Sequence, residues 1–68
     1  MNETQVNEFM VSLNQQYVQA DKRHKRVIKN YMNDLLSPNA YKELDKKYSI
    51  QLETIKKTIN IFLTIKNQ

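Results

Sequence analysis

The sequence contains no cysteine, no glycine and no tryptophan, and only one proline and one histidine. Each absence removes a class of answer. Without cysteine there are no disulfides, and a single histidine with no thiol cannot make a structural zinc site. Without glycine no phosphate-cradling loop can form. No serine or aspartate stands beside His24 in a nucleophile–base arrangement. The nearest acid, Asp21, is one turn away and suits a helix cap better. We therefore expect no catalytic residue, no metal, no cofactor and no enzyme. Long apolar runs are missing too. The longest, Ile-Phe-Leu-Thr-Ile at 61–65, is too short to cross a bilayer, and the first twenty residues carry Glu3 and Glu8 with no unbroken apolar stretch. No membrane association and a cytoplasmic location are the expectation.

What remains is a chain of 68 residues, enough for one domain. A core of that size supplies about 3–5 kcal/mol at most unless something else constrains it. With disulfides and metals excluded, oligomerisation or a larger partner is the expected supplement, a homodimer first. Eleven Lys and Arg against seven Asp and Glu leave a net charge of +4, which leans toward an anionic partner such as nucleic acid. Richness in Asn, Lys and Ile fits an AT-rich bacterial or phage coding sequence.

The periodicity is helical and the fold class is all-α. Apolar or aromatic groups fall at Val6, Met10, Leu13, Tyr17, Ala20, Val27 and Tyr31, with His24 on the same line, in the alternating steps of four and three that a helical seam requires. This predicts a helix from about Thr4 to Leu36, interrupted if anywhere at Asp21, where an N-cap could restart it. Ser37 caps a second helix that begins at Pro38. Residues 26–36 carry a wider apolar surface, because Ile28, Met32, Leu35 and Leu36 join the line. The 68 residues therefore read as one small helical domain with two parts. In residues 1–22 the narrow seam at Val6, Met10, Leu13 and Tyr17 forms an oligomer or partner interface, and residues 23–68 form a compact core.

After Pro38 the apolar positions are Tyr41, Leu44, Tyr48, Leu52, Ile55, Ile59 and Phe62, and the steps from 44 to 48 to 52 are two fours in succession. That stutter leaves two architectures open: two short helices meeting near Ser49, or one helix that closes a hairpin with the first. The corner has residues to support it. Leu44 and Tyr48 lie four apart before Ser49, Ile50 would lie in the turn, and Ile55 and Ile59 lie four apart after it.

Through Lys46, Lys47, Tyr48, Ile50, Thr54 and Ile55, the stretch 43–59 resembles the helix-turn-helix family of DNA-binding proteins, in which a Lys-Lys-Tyr-Gly-Ile-Ser-type turn leads into the recognition helix. It departs from the pattern at Ser49, where glycine is usual, and at Asp45, where a small buried residue is usual. The resemblance implies double-stranded DNA as partner and a recognition helix offering Gln51, Thr54, Lys56 and Lys57 to base edges and phosphates. A second resemblance is shorter. Glu43, Leu44 and Asp45 repeat the end of the Ser-Gln-Glu-Leu-Asp motif of the helical-hairpin phosphatases of sporulating bacteria, but Tyr41 and Lys42 stand where the serine and glutamine belong.

The densest charge is at 22–29, where Lys22, Lys25, Arg26 and Lys29 share one side of a helix and Arg23 lies beside them. Its functional reading is a phosphate-contacting ridge, and the alternative is a solvated face. His24 reads as a packed, hydrogen-bonded histidine, and Tyr17, Tyr31, Tyr41 and Tyr48 read as packing groups with a polar tip. Two functions follow. The first is a small DNA-binding transcriptional regulator of phage or mobile-element type. The second is a non-catalytic helical module that binds and regulates or inhibits a larger protein.

Overall fold

In a computed structural model describing residues 2–67, the chain folds as two antiparallel helices, α1 (Glu3–Met32) and α2 (Pro38–Lys66), joined by a five-residue connection. Both starts are set by side chains. The Gln5 backbone N–H donates to Asn2 Oδ1 at 2.8 Å while Asn2 N–H donates to Gln5 Oε1 at 3.2 Å, a reciprocal capping box. Ser37 Oγ accepts from the Ala40 backbone N–H at 3.1 Å, and Pro38 occupies the first turn as expected.

α1 ends four residues earlier than its apolar pattern predicts. Asp34 takes a left-handed conformation, φ 60°. Its N–H donates to the Tyr31 carbonyl at 3.1 Å, and the Leu35 N–H donates to the Asn30 carbonyl at 2.8 Å. These two bonds are a Schellman motif built without glycine. The cost falls on Asp34, whose Cβ crowds the backbone and whose negative charge sits just past the negative end of the helix. Asp21 starts no new helix. It lies mid-helix and pairs with Lys25 at 3.0 Å.

α2 runs through Ser49 without interruption, so the single-helix alternative holds and no corner forms. A mid-helix serine costs only a few tenths of a kcal/mol against a good helix former. Ile50, which a turn would have buried, faces solvent at 57 % exposure. The stutter at 44, 48 and 52 is absorbed by a drift of the contact line around a straight helix.

The core is one thin line. Val6, Leu13, Ala20 and Val27 are buried at seven-residue steps on α1, and Ile55 is buried on α2. Leu13, Ala20 and Ile55 form its centre, with Tyr17, Leu52, Ile59 and Phe62 packed around them. Within the single chain, the two parts expected from the sequence, residues 1–22 and 23–68, share this one line of packing. Of the seam, Leu13 and Tyr17 pack with Leu52, Ile55, Ile59 and Phe62 of α2, Val6 is buried and Met10 half-buried, whereas Met32 (76 %) and Leu35 (70 %) in the wide apolar stretch stand exposed.

Replacing Asp34 with glycine removes the left-handed penalty and the misplaced charge together. Asp34→Gly is expected to raise the unfolding free energy by about 1 kcal/mol, less the extra entropy glycine gives the unfolded chain. Urea denaturation checks this, with an unchanged slope and a higher midpoint as the expected result.

Candidate functional site

Contacts between the helices nest one inside the next, which fixes the register. Lys66 Nζ donates to Asn7 Oδ1 at 2.8 Å near the open end, and Phe9 stacks on Phe62 with ring centroids 4.7 Å apart. Toward the loop, His24 Nε2–H donates to Asp45 Oδ1 at 2.6 Å, and the His24 ring lies 6.5 Å from that of Tyr48. Tyr31 and Tyr41 stack at 4.2 Å beside the connection. His24 is thus the packed, satisfied histidine that its place on the seam suggests. Asp45, too polar for a buried helix-turn-helix position, finds its partner across the hairpin. It lies mid-chain in a structural bond, and Glu43, its neighbour in the phosphatase-like triplet, faces solvent.

Of the proposed base-reading residues, none stands at the start of a free helix. Gln51 lines a shallow groove with Gln16, Gln19 and Arg23 of α1. Thr54 Oγ1 donates to the Ile50 carbonyl at 2.9 Å. Lys57 lies 3.8 Å from Glu53 one turn back on its own helix. Lys56 lines the opposite groove with Tyr17, Leu52 and Asn60. Gln51, Thr54, Lys56 and Lys57 are therefore distributed around the middle of α2 and not gathered on one projecting face.

The cations at 22–29 lie on the exposed surface of α1. Lys22, Arg23, Lys25, Arg26 and Lys29 are all exposed, and only Lys25 has an ion-pair partner among the described residues, Asp21. Their setting was not visible from spacing alone. Eight of the eleven cations but only four of the seven acids lie between residues 21 and 48. The hairpin folds exactly those residues together at its loop end, so that half carries the whole net charge of the protein and the open half carries none.

Two exposed apolar lines lie outside the seam pattern. On α1, Val11 (57 %) and Val18 (48 %) lie away from the core. At 100° per residue they continue into Lys22, Lys25 and Lys29 within a sector of about 60°. On α2, Ile50, Ile61 and Ile65 are more than half exposed. The signal for both was present as a second helical periodicity behind the main seam.

Among the described residues no group of His, Asp and Glu could hold a metal ion, and no helix is long and apolar enough to cross a membrane. Comparison with protein-family models, curated proteins and solved structures found no match.

Among the described residues the His24–Asp45 bond is the one charge-assisted link between the helices near the loop. Because Asp45 is 41 % exposed, its loss should cost about 1 kcal/mol and not the several of a buried pair. His24→Ala and Asp45→Ala are expected to destabilise by similar amounts, and the double variant by little more than either alone, in a urea-unfolding double-mutant cycle.

Proposed function

We propose that the chain is a non-catalytic helical interaction module, a hairpin that binds and regulates a larger protein. The observation that carries this reading is the outer line of α1, apolar at Val11 and Val18 and cationic at Lys22, Lys25 and Lys29, which stands exposed to solvent on the side of α1 away from its buried line. Over eighteen residues such a line is about 27 Å long. It fits a partner surface with an apolar groove that leads into an acidic patch, where valines contribute burial and lysines contribute register and rate of encounter. A rigid helix face laid into a groove is a recurrent mode of protein recognition.

A DNA-binding regulator is the second reading, and the specific observation in its favour is the concentration of the net charge at the loop end. Ridges of this kind hold phosphates without reading sequence. Sequence reading would need a helix start free to enter a groove, and the continuity of α2 gives that reading no support.

A photo-crosslinking residue placed at Val18 in producing cells separates the two. The module reading predicts one discrete adduct with a larger protein, lost when Lys22 and Lys25 are changed to alanine. Absence of an adduct would contradict it, above all if duplex DNA binds more tightly than roughly 10⁻⁶ M with a log–log salt slope that falls by about 0.9 for each cation removed.

A further inference from the structure

The exposed line on α2 has a symmetry that suggests its own partner. Ile50, Thr54, Ile61 and Ile65 fall within a sector of about 60°, roughly a third of a turn from buried Ile55. The threonine on this line asks nothing of solvent, because Thr54 Oγ1 donates to the Ile50 carbonyl at 2.9 Å. Thr58, beside it, donates in the same way to the Thr54 carbonyl at 2.9 Å. Their hydroxyls are spent on their own backbone, and the line is apolar in effect. Lys57 borders it, with Glu53 within 3.8 Å, so that border is neutral in sum.

Read from either end, the spacing is the same. Ile50 and Ile65 are the outer pair, Thr54 and Ile61 the inner pair, and the midpoint falls between Lys57 and Thr58. A two-fold axis through that midpoint sets Ile50 of one chain against Ile65 of the other, and Thr54 against Ile61. Self-complementarity of this kind is what an isologous interface requires.

The amount of surface agrees. The chain exposes 5512 Å², whereas a compact monomer of its 8.2 kDa exposes about 4,500 Å². The excess, roughly 1,000 Å², is close to the ~800 Å² that each partner buries in an interface of standard size. Electrostatics sets the direction. A parallel pair would bring two strongly basic loop halves side by side, while an antiparallel pair joins the halves whose charges cancel and sends the basic ends apart.

We propose that two copies of this chain pair antiparallel through the outer face of α2, about an axis between Lys57 and Thr58. This surface differs from the seam at Val6, Met10, Leu13 and Tyr17, in which Leu13 and Tyr17 already pack against α2. The pairing does not depend on whether the loop end meets protein or DNA, and it leaves the outer line of α1 free.

The absence of cysteine makes disulfide trapping a clean test. Thr58→Cys, beside the axis, should cross-link under mild oxidation at least ten times faster than Val18→Cys on α1. Ile61→Cys alone should cross-link slowly, because its opposite is Thr54, and adding Thr54→Cys should restore fast, doubly linked dimer. Sedimentation equilibrium of the unmodified protein should give twice the chain mass, reduced to the monomer by Ile61→Asp with helicity retained. A monomer at 100 μM, a dimer insensitive to Ile61→Asp, or Ile61→Cys linking as fast as Thr58→Cys would each overturn the proposal.

Discussion

One line of close contact holds the hairpin together, and its shape depends on that line being unbroken. Val6, Leu13, Ala20 and Val27 descend α1 at seven-residue steps, and α2 must continue unbroken for about 32 Å to meet them. Ala20, 2 % exposed, is the point of closest burial, where a small side chain allows the neighbouring helix to approach. A bend at Ser49 would lift Leu52, Ile55, Ile59 and Phe62 off the line and leave the N-terminal half of α1 with no cover. Packing thus decides the continuity of α2, and the local preference of Ser49 is too weak to oppose it.

A seam so thin has consequences for everything outside it. Among the described residues five are buried, and they cannot hide the rest of the apolar content, which accordingly appears on outer faces as Val11, Val18, Ile50, Ile61 and Ile65. Folding in half also sorts charge, because the residues on either side of the connection, 21–48, carry the surplus cations. The resulting rod, 48 Å long and about 14 Å across, has a basic end and an end whose charges cancel, with the exposed isoleucines of α2 toward the latter. The proposals for partner and for pairing both draw on this division.

Much of the architecture was legible in the sequence. The seam positions, the all-α class and the break at Ser37 and Pro38 follow from helical spacing and from proline chemistry, which are local. Three features were not legible, for physical reasons that can be named. The end of α1 rests on Asp34 adopting a conformation that glycine usually takes, and a chain without glycine gives no such mark. Continuity at Ser49 is a tertiary outcome, since the same apolar residues fit a corner or a straight helix equally well. What covers Val6 and Leu13 was also undetermined, because a narrow seam looks the same whether its partner is another chain or the second half of its own. The ridge at 22–29 was legible as a row of charges, but its role is a matter of partners, and the fold alone does not choose them.

The central claim is that the two helices lie closed against each other along their whole length. Spin labels introduced at Glu3 and Thr64, diluted with unlabelled protein so that only distances within one chain are seen, test it directly. Helix axes about 8–10 Å apart place these two exposed positions at one end of the rod, and the dipolar spectrum should give a single narrow distribution near or below roughly 25 Å once label length is included. A broad distribution, or a distance beyond about 35 Å, would mean that α2 turns away at Ser49 and that the hairpin account is wrong.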